Sequence, residues 1–126
     1  MRTALVVGLG GFIGAIARHL TSASIDRHLH GYFPFGTAIV NVLGCLLLGF
    51  IVEGCREGLA LGPETREFLI VGLIGAFTTF STFGFDTVQL SREGYPFSAL
   101  ANVVLSVSLG LLAILAGGAI ARVCFR

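Results

Sequence analysis

The residues best able to do chemistry form one short run, Gly75-Ala76-Phe77-Thr78-Thr79-Phe80-Ser81-Thr82-Phe83-Gly84, in which hydroxyls alternate with aromatic rings. The run lies inside an apolar segment from about Glu67 to Leu90. Two further polar strips accompany it. Thr37, Asn41, Cys45 and Gly49 recur every four residues, as do Asn102, Ser106 and Gly110, so each set shares a helical face. Such groups act in a membrane either as glue between helices, worth about 0.6–2 kcal/mol, or as a polar path. Asn41 carries the most weight, because an amide at mid-membrane is expensive without a partner. Three strips are more than packing alone requires.

Two backbone courses fit the Gly75–Gly84 run. Threonine lowers helix propensity and its hydroxyl competes for backbone groups, while glycine lets the chain leave helical geometry. On that reading the helix breaks at mid-depth, which lipid tolerates only where the freed backbone is buried in protein or lines a polar cavity. On the other reading one intact helix carries hydroxyls bonded back to the preceding turn. Composition alone leaves both open.

The elements that position these strips are membrane helices. Of 126 residues 55% are hydrophobic and 12% charged, with a mean hydropathy of +0.92. There is no lysine, and the charges fall almost entirely between apolar runs. A soluble domain of this size would need far more polar surface. Four runs, about 2–21, 35–52, 67–90 and 97–121, are each long enough to cross roughly 30 Å of hydrocarbon at ~20 residues apiece. The chain reads as one all-α integral membrane domain. The first run is longer than a signal-peptide core and carries Gly10, Gly14 and Arg18 in helical register, so it is read as a mature span.

Cys45, Cys55 and Cys124 make an odd count without CxxC spacing, which suggests neither a disulfide framework nor a zinc site. His28 and His30 lack a carboxylate or cysteine cluster and read as part of a solvated loop from Ser22 to Pro34. No basic cluster is present to bind nucleic acid.

Gly10 and Gly14 allow a close helix contact, and together with the arginine pattern they point to subunit association. Arg18, one turn on, sits so near the expected helix end that snorkelling to the interface is its expected course, a polar partner inside the bundle being the other. Glu64 and Glu67 open the third span in accord with its dipole, and Asp86 falls near the far interface. Short connections make neighbouring helices antiparallel and put both termini on one side. That side holds Arg2, Arg56, Arg66, Arg122 and Arg126, against Arg18, Arg27 and Arg92 opposite. So small a bias permits insertion in both orientations.

The sequence resembles the Fluc-type (CrcB) fluoride channels of bacteria. The resemblance rests on Gly10 through Arg18, on Thr37 through Gly44 with Val40-Asn41-Val42, and above all on Gly75 through Phe83. It covers all four spans. It implies a channel rather than an enzyme, one that exports fluoride passively across the cytoplasmic membrane and relieves fluoride toxicity. It further implies a lipid-embedded homodimer of two oppositely oriented subunits, with a third helix broken at mid-membrane, two fluoride pathways and a sodium ion at the dimer centre. Phe80 and Phe83 resemble the paired pore phenylalanines, and Asn41 the pore asparagine on a face shared with Thr37. Gly75 and Thr78 resemble the positions whose carbonyls bind sodium, with Thr79 and Ser81 beside them. Arg18 matches the vestibule arginine, and Asn102 and Ser106 fall on the fourth-helix polar track. Asp86 replaces a usual glutamate, His19 a frequent aromatic, and Gly110 a position where a further hydroxyl can occur.

Residue chemistry agrees with such a pathway. Fluoride is small and strongly hydrated, so a pore must replace its water with donors such as Asn41, Thr79 and Ser106. Phenylalanine edges carry positive potential and can face an anion without a full counter-charge. The main alternative is a four-helix drug/proton exporter, which needs an ionisable carboxylate deep in the membrane. Glu53 and Asp86 lie toward span ends, and the first helix has no acid. A non-transporting assembly subunit would leave the three polar strips unexplained.

Overall fold

Side chains this apolar leave the backbone to satisfy its own hydrogen bonds, and in a membrane a helix does so within one segment. The computed structural model of the chain describes residues 1–125, and every element in them is helical. Helix α1 is Arg2–His28 and α2 is Phe35–Glu57. The third span is composite: α3 (Pro63–Arg66), a π-helical segment (Glu67–Ile74), α4 (Gly75–Phe77) and α5 (Phe80–Arg92). Helix α6 is Pro96–Phe125. Arg2–His28, Phe35–Glu57, Pro63–Arg92 and Pro96–Phe125 are each long and apolar enough to cross a membrane.

The helices overrun the expected spans, α1 most of all. The expected loop from Ser22 to Pro34 shrinks to residues 29–34, polar side chains up to His28 bonding back onto carbonyls one turn earlier in α1 itself. The Ser22 hydroxyl donates to the Arg18 carbonyl at 2.8 Å, Arg27 Nε to Ala23 at 3.0 Å, and His28 Nδ1 lies 2.7 Å from the Ser24 oxygen. Asp26, expected in that loop, instead lies on α1 and its Oδ1 accepts the Gly36 N–H at 2.8 Å. This ties the end of α1 to the start of α2.

Helix α2 lies along α6, and α1 lies along the π-helical segment and α4. A Cβ on Gly14 would run into the Leu73 carbonyl, and one on Gly117 into that of Leu46. Close approach at α1 is therefore used within the chain. That corrects the reading of Gly10 and Gly14 as subunit contacts, since Gly10 likewise abuts Phe68 and Gly72 of the third span. π-helical turns are rare and gather at functional sites; this one runs straight into the polar run.

At one end of the bundle Arg2 pairs with Glu64 at 2.9 Å, and Glu53 pairs with Arg122 at 2.8 Å and Arg56 at 3.3 Å. These pairs gather the N-terminus, the α2–α3 connection and the end of α6 on one side; Arg126 lies outside the described residues. Ion pairs at such a helix end add little to stability. At the other end Tyr32 stacks on Tyr95, with centroids 4.2 Å apart.

Candidate ion pathway

Helical geometry stops after Phe77. Thr78 (φ −83°, ψ 158°) and Thr79 (φ −150°, ψ 117°) are extended, and α5 starts at Phe80. Extended residues inside a span leave backbone groups in need of partners, and Asn41 of α2 supplies both for Thr79. Its Nδ2 donates to the Thr79 carbonyl at 3.0 Å, and its Oδ1 accepts the Thr79 N–H at 2.7 Å. Thr79 then caps α5, its hydroxyl accepting the Thr82 N–H at 3.2 Å, as N-cap threonines do. The Thr78 hydroxyl bonds back to the Ile74 carbonyl at 3.1 Å, the local contact an uninterrupted helix would also allow.

The interruption sorts charge. The N-terminus of α5 points its positive dipole end into this region, and the last carbonyls of α4 supply the negative end. The Thr79 N–H, which in a continuing helix would reach the Gly75 carbonyl, is turned to Asn41. Arg18 Nη1 donates to the Thr78 carbonyl at 3.3 Å. This revises the expectation of snorkelling: α1 continues to His28, so Arg18 lies well inside the helix and turns to a polar partner.

A groove of about 350 Å³ opens on one side of the interruption. Asn41, Gly75, Thr78, Thr79, Phe80, Phe83 and Ser106 line it, with Cys45, Ile70 and Val107 among the apolar walls. No acidic side chain is among its described lining residues. The Phe80 and Phe83 rings lie 5.5 Å apart at 42°. Phe80 is 83% exposed, so it is not a core residue of this chain.

On the other side, Arg18, Ser22, Thr37, Thr79 and Thr82 line a cavity of about 250 Å³. A neighbouring cavity of about 370 Å³ shares Ser22, Thr37 and Thr82 and reaches Asp26 and Asp86. Thr37 is buried and donates to Asp86 Oδ2 at 2.8 Å. Arg18 and Thr37 thus line these cavities and not the phenylalanine groove. Ser81 is exposed, with its hydroxyl 3.2 Å from that of Thr79.

The two α6 candidates part company. Ser106 reaches the groove, whereas Asn102 is fully buried at 0% exposure. Asn102 Nδ2 donates to the Thr87 hydroxyl at 2.8 Å, and its Oδ1 accepts from Ser106 at 3.3 Å. Thr87, which donates to the Phe83 carbonyl at 2.7 Å, was not singled out from sequence. Its signal is the spacing: it follows Phe83 by four residues, where a threonine hydroxyl bonds back to a helix carbonyl.

Four apolar spans, with polar side chains gathered around an interruption in the third, define a small multi-pass membrane protein with a polar interior. The chain belongs to the CrcB family: the family model described as "CrcB-like protein, Camphor Resistance (CrcB)" matches residues 5–118. Among its relatives is a "Fluoride-specific ion channel FluC" of Clostridium perfringens, 39% identical over 97% of this chain and 95% of the relative. A protein of that name from Rhizobium meliloti is 41% identical over 97% and 98% of the two chains, and one from Shewanella denitrificans is 44% identical over 93% and 94%.

Proposed function

We propose that this chain forms a passive, fluoride-selective channel of the bacterial cytoplasmic membrane that lets accumulated fluoride escape. The observation that carries the reading is the groove at the N-terminus of α5. It combines neutral polar side chains, two phenylalanine rings and a helix dipole, with no acidic side chain among its described lining residues. The dipole attracts an anion; ring edges supply positive potential without a full charge. A ring of arginines would hold the ion too tightly to release it. The fluoride specificity named for the relatives supports the choice of ion.

On this reading the third span breaks at mid-membrane, and the working unit is an antiparallel, dual-topology homodimer with two pathways. A second copy would cover Phe80, whose 83% exposure is high for a ring meant to hold an ion away from lipid. The fluoride path runs from the vestibule of Arg18 and Thr37 past Thr79 and Ser81 to Asn41, Phe80, Phe83 and Ser106. A drug/proton exporter is disfavoured because its carboxylates are committed. Glu53 is paired with Arg122 and Arg56 at a helix end, and Asp86 accepts from Thr37.

Sodium fits the α4 end of the interruption. Gly75 faces the groove with its helical donor diverted, and Thr78 offers a carbonyl shared with Arg18. Two such neutral oxygens from each of two copies suit a monovalent cation, which when bound supplies a fixed positive charge between subunits. Exchanging sodium for a bulky organic cation should lower the thermal stability of the purified dimer and impair flux. Unchanged melting and flux after rigorous sodium removal would contradict the site.

Proteoliposome flux tests the function itself. Vesicles holding the protein should release fluoride and retain a cationic dye. Release of the dye without fluoride would favour an exporter, and release of neither an assembly subunit.

A further inference from the structure

We infer that Asn102 is a positioning residue that competes with the permeating anion for the proton of the Ser106 hydroxyl. The inference rests on the fluoride-channel reading and adds a role that the α6 spacing does not suggest. A row of hydrogen bonds runs from the core to the groove, and one end fixes its direction. The Phe83 carbonyl can only accept, so Thr87, whose hydroxyl lies 2.7 Å away, spends its single proton there. Thr87 must then accept from Asn102, which turns the amide so that Nδ2 faces Thr87 at 2.8 Å. That leaves Oδ1 toward Ser106, 3.3 Å away, so Ser106 donates inward.

The consequence falls on the groove. With its proton given to Asn102, Ser106 presents only lone pairs beside Phe80 and Phe83. An anion arriving there needs the hydroxyl turned outward, and the turn strips the partner from an amide oxygen that is 0% exposed. A buried acceptor left unpaired is costly. Asn102 therefore weakens anion binding at Ser106 and takes the proton back when the ion leaves. Conduction requires binding that is weak enough to release.

Removing the competitor should tighten the site. In proteoliposomes Asn102→Leu should lower the fluoride concentration giving half-maximal flux by roughly three- to tenfold, the span of one ordinary hydrogen bond. Thr87→Val, which frees the amide from its enforced orientation, should shift it the same way by less. Thr87→Ser, which keeps the hydroxyl, should return the parent value. Both shifts should vanish in a Ser106→Ala background, whereas a purely structural role would change dimer yield and leave half-saturation alone. If Asn102→Leu does not assemble, Thr87→Val decides. Half-saturation equal to the parent's, or shifts that persist without the Ser106 hydroxyl, would overturn the inference while leaving the channel reading intact. A parent chain that carries no fluoride would overturn both.

Discussion

Replacing Asn41 with aspartate should collapse fluoride flux, by roughly a thousandfold. The side chain lines the groove and clasps the Thr79 backbone with both ends of its amide. A carboxylate there sets an anion in the path of an anion, and at about 4 Å with an effective dielectric near 20 the repulsion is about 4 kcal/mol. At ~1.4 kcal/mol per tenfold change this is close to three orders of magnitude. The clasp is also halved: one oxygen can still accept the Thr79 N–H, but the other confronts the Thr79 carbonyl. Loss of that bond should cost about 1–3 kcal/mol of stability, which the protein should survive, eluting like the parent on gel filtration. Undiminished flux in Asn41→Asp would remove Asn41 from the pathway.

Replacing Phe83 with isoleucine should cut transport far more than folding. Phe83 is half-buried, and its ring centroid lies 5.5 Å from that of Phe80, three residues earlier on the same helix. Isoleucine keeps most of the bulk, at a cost of about 1–2 kcal/mol, but has no electropositive aromatic edge. Methionine, polarizable and adaptable, should be gentler. Transport should rank Phe above Met above Ile, all three proteins eluting alike, with the Ile variant slower by at least about tenfold if the edge contributes ~1.4 kcal/mol or more to the ion's passage. Parent-like flux in Phe83→Ile would make the rings packing residues and send the search for the anion path elsewhere.

The four spans were legible because long apolar runs admit few other structures. Their ends were not. Ser22, Arg27 and His28 look like loop residues by polarity, yet each bonds back to a carbonyl three or four residues earlier and stays within α1. The same end decides the place of Arg18, which lies well inside the longer helix and donates to the Thr78 carbonyl. The Gly75–Gly84 run announced its polarity, but the hydroxyls' separate tasks depend on Asn41, 38 residues away in sequence. Asn102 and Ser106 differ for a geometric reason. Four residues overshoot a 3.6-residue turn by about 40°, enough to leave one amide buried under Thr87 while the next hydroxyl reaches the groove. The π-helical segment had no signal in hydropathy; it coincides with the backbone contacts between Gly10 and Gly72.

The most direct measurement is fluoride release from proteoliposomes loaded with potassium fluoride, recorded with a fluoride electrode before and after valinomycin. A passive channel for the bare anion moves charge and stalls at a small membrane voltage until potassium can follow. Release should therefore start on adding valinomycin, and potassium chloride loaded in the same way should stay inside. Fluoride release that needs no valinomycin, or chloride released as fast as fluoride, would contradict selective fluoride conduction by this chain.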